Sequence, residues 1–288
     1  MPPAPPDLPP GFPGAAGPML VVGYGVMAQA MVAGWLRAGV PAGALRLFNP
    51  RPKPAPEGVS LSTSLPKGPQ RWLLLACKPQ HLPDVAALLR PCIGPRTVVL
   101  SVLAGVDLDA LKTATPGAAG WVRMMPNLAA ALGASPVALA SSPLSPADGA
   151  VVDRLASMLG SAVWLDGEDR FDLVTALAGS GPGLVFAIMA ALADAAEANG
   201  LERAVADRLT RDMVVGAAAL AARSEDALPL LAARVASKGG MTQAGLDVLE
   251  ARGLAETIRE ALTAIRDSGA QLRRAAAGDQ GRAPAGFA

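Results

Sequence analysis

Gly23-Tyr24-Gly25-Val26-Met27-Ala28 sets small residues at a G-x-G-x-x-A spacing, and that spacing suits the capture of a pyrophosphate. The first glycine permits a tight turn, the second lets backbone approach the anion, and the alanine lets a helix pack closely on the strand before it. Free N–H groups of the helix's first turn then point at the phosphates. Two more clusters of small residues lie further along. Ser237-Lys238-Gly239-Gly240-Met241-Thr242 immediately precedes a helical pattern; its amides, two hydroxyls and lysine would converge at the positive end of a helix dipole, which suits a carboxylate. Thr175-Ala176-Leu177-Ala178-Gly179-Ser180-Gly181-Pro182-Gly183 has the look of a nucleophile elbow, but Ala178 stands where the first glycine of G-x-S-x-G belongs. His81 is the one histidine in the chain, so a hydrolase is disfavoured. The cluster reads instead as a helix start, with Ser180 as cap and Pro182 in the first turn, or as a hinge between two helices.

The elements that must position these groups follow from hydrophobic pattern. Met19 to Val22 is an apolar strand feeding the first glycine turn, and an apolar helix runs from there to near Gly39. A second strand, Leu45 to Phe48, ends in Asn49-Pro50-Arg51-Pro52-Lys53, where the ribose of a dinucleotide is read. Cofactors without a 2′-phosphate meet an acidic residue there. Between Leu8 and Pro56 the chain has none, so Asn49, Arg51 and Lys53 favour NADP, with NAD possible.

Trp72 to Ala76 is uninterruptedly apolar, as a buried parallel strand should be, and ends at Cys77-Lys78-Pro79-Gln80 before a helix over Leu82 to Leu89. Thr97 to Val102 runs into Leu103-Ala104-Gly105-Val106, and Trp121 to Met124 into Met125-Pro126-Asn127. Val137 to Ala140 and Val163 to Leu165, with a helix from Ala147 to Leu159 between them, complete the predicted sheet. Ligands of open α/β sheets bind outside the carboxyl ends of the strands, so Ala76, Lys78, Pro79, Ala104 and Asn127 should border one crevice. Lys78 there is equally readable as an anion ligand or a solvated lysine. Cys77 reads as a small buried hydrophobe and His81 as helix-start surface; one histidine and two cysteines make no zinc constellation.

Composition sets the outer bounds. A chain of 288 residues holds one large or two ordinary domains. Lys and Arg total 25 against 24 Asp and Glu, which gives no electrostatic footprint for nucleic acid. Aromatics are 3% against 51% hydrophobic, so the core must be built from Ala, Leu and Val. Two cysteines make no disulfide framework, and no signal peptide is recognisable. The apolar runs Leu184 to Ala193 and Met213 to Ala222 fall short of the ~20 residues of a membrane span. A cytoplasmic protein without membrane contact is expected.

The predicted organisation is a disordered Pro- and Gly-rich leader over 1–17, a nucleotide-binding domain over 18–165, a helical domain over 166–272 and a flexible tail over 273–288. Helices are expected over Phe171 to Ala178, Gly183 to Ala198, Glu202 to Arg223, Leu230 to Ala236, Thr242 to Ala251 and Leu254 to Gln271. Two of them are apolar nearly all round and must be buried on every side. A unit this small cannot enclose both, so a homodimer or higher homo-oligomer is expected.

The chain as a whole, from about Pro18 to Gln271, resembles pyrroline-5-carboxylate reductase. The resemblance rests on an ordered set of motifs: Gly23-x-Gly25-x-Met27-Ala28, Lys78-Pro79-Gln80, Ala104-Gly105-Val106, Arg123-x-Met125-Pro126-Asn127, Gly179-Ser180-Gly181-Pro182 and Ser237-x-Gly239-Gly240-x-Thr242, followed by Ala244-Gly245-Leu246 and Val248-Leu249-Glu250. It implies a Rossmann-type doubly wound sheet followed by an all-α dimerisation domain. It also implies NADPH-dependent reduction of an imino acid, at a site bordered by the partner's helices. Gly23, Gly25, Val26, Met27 and Ala28 would then bind cofactor with Asn49, Arg51, Ala76, Lys78, Pro79 and Ala104. Ser237, Gly239, Gly240, Met241 and Thr242 would hold the substrate carboxylate, Asn127 would border the nicotinamide, and Thr175, Glu225 and Thr242 would serve the reacting centre. The chain departs from the family pattern at Leu128-Ala129, Ala178, Gly183, Lys238 and Met241, which alters the floor of the site and its carboxylate loop. A β-hydroxyacid dehydrogenase and a non-catalytic NADP-binding protein are the alternatives.

Overall fold

The computed structural model describes residues 10–14, 17–237 and 239–278. Lys238, the first nine residues and the tail beyond residue 278, all subjects of expectations above, lie outside the described residues. The chain divides into two compact units, one running to Gly179 and resuming at Ile265, the other Ser180–Ala264.

The first unit is built on a sheet of eight strands: β1 (Met19–Val22), β2 (Leu45–Phe48), β3 (Ser60–Ser62), β4 (Trp72–Leu75), β5 (Val98–Ser101), β6 (Gly120–Met125), β7 (Ser135–Ser141) and β8 (Gly160–Trp164), in the order β3-β2-β1-β4-β5-β6-β7-β8. Every pairing is parallel except β6 with β7. That exception follows from chain length. Nine residues (126–134) separate the two strands, fewer than the dozen or so a parallel crossover requires.

Both faces of the sheet are covered, which is why its strands are apolar throughout. Val21, Leu74, Leu100, Val122 and Leu139 face α1 (Val26–Arg37) and the later α4 (Pro146–Ser157). The alternate residues Leu20, Val22, Leu73, Leu75 and Val99 face α2 (Leu82–Leu89) and α3 (Leu108–Ala114). Trp35 of α1 is fully buried and donates its indole N–H to Leu155 O at 2.9 Å. With the scarce aromatics placed there, Ala, Val and Leu fill the remainder.

Three expectations are corrected. Residues 10–14, read as part of a disordered leader, are ordered: Phe12 is buried in the core, and Trp72 Nε1 donates to Gly11 O at 2.8 Å. An indole N–H closed off from water needs a partner, and the leader's backbone supplies it. The edge strand β3 went unrecognised because Ser60-Leu61-Ser62 has a single apolar residue, enough for the rim of a sheet. The last strand begins at Gly160 rather than Val163, paired in parallel with β7.

From Phe171 the chain is helical: α5 (Phe171–Val174), a π-helical turn over Thr175–Gly179, α6 (Gly181–Ala198), α7 (Arg203–Arg223), α8 (Leu228–Val235), α9 (Met241–Ala251) and α10 (Leu254–Gly278). The helix α6 starts after Ser180 with Pro182 in its first turn, as expected, but the serine does not cap it with its side chain. The Ser180 dihedrals are themselves helical, so the helical run extends over 28 residues, Phe171–Ala198. By length and composition alone that run suffices to cross a membrane, contrary to the expectation drawn from its shorter apolar stretch.

Among the described residues of the second unit only Ala193, Ala206 and Thr210 are buried. Phe186 is 67% exposed, Val215 69% and Leu220 70%. Helices without a polar face that lack a covering layer are surfaces made for association.

Candidate active site

The strand order reverses direction of growth between β1 and β4, the switch point at which open α/β sheets bind ligands. Both strands end there, and their ends touch. Gly23 N donates to Phe48 O at 2.9 Å and Ala76 N to Val22 O at 2.8 Å. Gly23 has φ +93°, and a Cβ on it would lie 2.7 Å from Ala76 O and 2.8 Å from Cys77 N; only glycine fits. Gly25, two residues on, faces open space, with nothing within 4 Å of where its Cβ would be. It is the N-cap of α1, with no side chain capping the first turn. The amides that follow, from Val26 onward, therefore have no side-chain partner in the first turn. Val26 is exposed there, Met27 half-buried, and Ala28 buried under the helix.

The residue between the glycines supports the turn from below. Tyr24 buries its ring in the core, and burial pushes its phenol pKa up. Its N–H donates to Asn49 Oδ1 at 3.1 Å. Asn49 is itself buried: Nδ2 donates to Arg51 O at 2.7 Å and its backbone N–H to Ser62 O at 3.1 Å. Asn49 thus ties the glycine turn to the loop after β2. Lys53, read with Asn49 and Arg51 as favouring a 2′-phosphate, closes the same corner by donating from Nζ to Tyr24 O at 3.0 Å. Arg51 is exposed beside it. A corner with one glycine locked, one open, first-turn amides unspent and cations on the ribose side fits a phosphorylated dinucleotide.

Lys78 is exposed at the end of β4, Pro79 half-buried behind it, and Ala104 exposed in the loop between β5 and α3. Cys77 is half-buried, and burial pushes its thiol up to about 11, partly offset by a hydrogen bond to its own backbone. It is a neutral thiol near pH 7 and no nucleophile.

Asn127, at the end of β6, is 5% exposed and fully engaged. Its N–H donates to Ser135 Oγ at 2.9 Å, Oδ1 accepts from Ala129 N at 2.9 Å, and Nδ2 donates to Ala178 O at 2.9 Å. The side chain clasps the π-helical turn to the strand end. Thr175 opens that turn, and its hydroxyl donates to Phe171 O at 2.8 Å. With its proton committed, the oxygen is left to accept.

The other expected residues belong to the second unit. Gly239 has φ +74°, and a Cβ on Gly240 would lie 2.5 Å from Ser237 Oγ, so the glycines allow the loop to fold over its serine. Gly240 N donates to Ser237 O at 2.8 Å. Gly240 caps α9 without a side-chain bond, leaving the amides of Met241, Thr242 and Gln243 open in the first turn. Met241 is 95% exposed and Thr242 exposed. Glu225 is exposed after α7, next to Asp226, which pairs with Arg234. The nucleotide corner, Asn127 and Thr175 thus share one unit, while Ser237 to Thr242 and Glu225 share the other.

Three residues given no role by the sequence reading converge at Arg123 of β6, four positions before Asn127. Arg123 is 3% exposed; its guanidinium donates to Glu168 Oε1 at 2.6 Å and lies 3.9 Å over the ring of Phe171. A charge inside an otherwise apolar strand was the available signal.

Against known proteins, residues 168–272 match the family model described as pyrroline-5-carboxylate reductase dimerisation. The pyrroline-5-carboxylate reductase of Pseudomonas aeruginosa is 35% identical over 260 residues, 87% of this chain and 95% of that protein. The solved structure of a pyrroline-5-carboxylate reductase from Coxiella burnetii superposes with a TM-score of 0.79 at 26% identity, covering 89% of this chain and 98% of that one. That of the Plasmodium falciparum pyrroline carboxylate reductase, which holds NADP, has the same fold, with a TM-score of 0.78 at 21% identity over 89% and 98% of the two chains. With the glycine corner at the sheet's switch point and a helical unit that cannot bury itself, these matches make the chain a member of the pyrroline-5-carboxylate reductase family.

Proposed function

We propose that this protein is an NADPH-dependent reductase converting the cyclic imine 1-pyrroline-5-carboxylate to proline, the last step of proline biosynthesis, in the cytoplasm. The observation that carries the reading is the glycine corner: Gly23 locked against Ala76, Gly25 open, and an uncapped helix start, in a chain 35% identical to a reductase of that name. Residues 18–165 form the cofactor domain and 166–272 the dimerisation and substrate domain. Gly23 to Ala28 hold the pyrophosphate, with Ala76, Lys78, Pro79 and Ala104 along the crevice. Arg51 and Lys53 meet the 2′-phosphate, on a loop braced by Asn49. When bound, NADPH supplies the hydride.

The protein's own task is to hold a flat C=N bond in place and keep water out. A cyclic imine is basic enough to arrive protonated, so no strong general acid is needed; orientation and fixed dipoles carry the rate. Ser237, the amides of Gly239 to Thr242 and the Thr242 hydroxyl bind the substrate carboxylate at the positive end of α9. Met241 flanks that loop and shapes the space left for the ring. Thr175 Oγ, already donating to Phe171 O, accepts from the ring N–H, and Glu225 offsets the ring's positive charge. Asn127 borders the nicotinamide through the backbone it holds.

The protein works as a homo-oligomer, at least a dimer. The apolar face of Phe171–Ala198 lies against a second copy rather than lipid, and the active site is completed at that interface.

The test is a trace of NADPH oxidation with pyrroline-5-carboxylate, run beside 3-hydroxyisobutyrate with NADP. Turnover of the imine acid alone supports the reading. Turnover of the hydroxyacid would make the protein a dehydrogenase, and NADPH binding without turnover of either would make it a sensor.

A further inference from the structure

Arg123 lies on the same face of β6 as Met125, opposite Ala140 of β7 in register, as Met125 is opposite Ala138. Those two alanines leave a recess, and Phe171 fills it, packed with Met125, Ala138 and Ala140. The guanidinium of Arg123 covers the ring at 3.9 Å. Its partner Glu168 uses the same oxygen, Oε1, to accept from Leu108 N at 2.9 Å, the first residue of α3, four residues past Ala104. One ion pair therefore ties together three things: the end of β6, the loop after β5, and the start of the helical run that carries Thr175.

The geometry points to Arg123 as a positioning residue for the reductase site, acting through Glu168 and Phe171 to fix the Thr175–Gly179 turn and the Ala104–Leu108 loop on either side of the reacting centre. This inference rests on the proposed reductase reading. Direct substrate binding by Arg123 does not fit. The cleft of about 220 Å³ beside it is otherwise lined by Asp107, Glu168, Asp169 and Asp172, carboxylates that repel an anionic substrate. Phe171 and Thr175 are one helical turn apart, and the Thr175 hydroxyl hangs from the Phe171 carbonyl. A shift of Phe171 into the space left by Arg123 therefore moves the Thr175 oxygen with it. Among the described residues, Gly23, Tyr24 and Asn49 hydrogen-bond to Phe48, Ser62, Arg51 and each other, and not to Arg123, Glu168 or Phe171.

Arg123→Met keeps length and loses the planar charge. It should lower kcat for pyrroline-5-carboxylate at least tenfold, counted per NADPH-binding site, while the NADPH Kd measured by fluorescence stays within threefold. A displacement near 1 Å is worth up to about a hundredfold in such a step. Arg123→Lys should recover only part of the loss, because an ammonium keeps the charge but cannot cover the ring as a plane. Glu168→Gln, which keeps the shape, should lower kcat in the same direction and should not add to Arg123→Met in the double variant.

A kcat per binding site within twofold of wild type in Arg123→Met overturns the inference, as does an equal fall in kcat and NADPH affinity. Should Arg123→Met not fold, an unchanged kcat in Glu168→Gln does so. A wild-type protein that turns over no pyrroline-5-carboxylate defeats the reductase reading itself. A working wild type with indifferent variants defeats only the role given to Arg123.

Discussion

The two units solve the same problem, hiding apolar surface, in opposite ways. The sheet unit is rich enough in strands to sandwich its apolar residues between helices on both faces, so Val21, Leu74 and Leu100 are fully buried within one chain. In the helical unit a hairpin of α6 and α7 leaves Phe186, Val215 and Leu220 more than two-thirds exposed, and a groove of about 390 Å³ lies along it between Phe186 and Arg203. A ligand corner built on the first can be complete in a single copy. On the proposed reading, a site built on the second needs a covering copy. Cofactor binding and catalysis should therefore separate experimentally, the first surviving as a property of one chain and the second requiring assembly.

The strongest way to break that division is at the strand ends. Gly23→Ala puts a Cβ 2.7 Å from Ala76 O at a positive φ. It should destabilise the sheet unit by more than about 2 kcal/mol and abolish NADPH binding, read by denaturant titration and ligand fluorescence. Gly25→Ala, with open space around it, should leave stability unchanged and still weaken NADPH at least about tenfold, since the methyl group occupies the space of the phosphates. Equal stability losses in the two would mean that the corner is only a turn.

Phe186→Asp tests the other unit. A residue already 67% exposed costs one chain little when made charged, so the sheet unit should stay folded and NADPH affinity change less than about threefold. The oligomer should dissociate to monomer in sedimentation, and turnover should fall more than about tenfold, as a buried charge at an apolar interface demands. A monomer with full activity would place the whole site in one copy.

Asn127→Ala sharpens the comparison where the two kinds of structure meet in sequence. It removes the acceptor for Ala129 N and the donor to Ala178 O and should cost about 1–3 kcal/mol, with kcat falling more than NADPH affinity. The smallest effect concerns Cys77. With its thiol held near 11, above the ordinary value, the thiolate fraction is suppressed at neutral pH. Alkylation at this site should be slow at pH 8 and climb about tenfold per pH unit until about pH 11, followed by site-resolved mass spectrometry. Fast labelling at pH 7 would mean an activated thiol in the crevice.

Much of the proposed site's local conformation was legible in residues that owe it to near neighbours. Gly23 and Gly25 sit in a turn between adjacent elements, and Gly240 N donates back to Ser237 O, so spacing alone was enough to mark both as turns before a helix. Asn49 and Asn127 lie just past the ends of β2 and β6, but each spends its amide on backbone: Asn49 on Tyr24 and Arg51, Asn127 on Ala129 and Ala178. A side chain that can recognise a ligand and one that can brace a turn have the same donor and acceptor, and sequence does not say which neighbour arrives first. Phe12 was missed because a Pro- and Gly-rich segment carries no period even where it packs.

What the sequence determined by itself was the alternation of apolar strands and helices, the glycine turn between the first pair, the missing acidic residue after the second strand, and the excess of apolar helix surface in the last third. All are set by local pattern and by the balance of apolar and polar residues. Tertiary structure alone decided that Arg123, Glu168, Phe171 and Leu108, spread over 64 positions from 108 to 171, meet around one ion pair, and that β7 runs antiparallel to β6. Those outcomes depend on strand register and on which faces pack together, quantities fixed only when distant segments share one core.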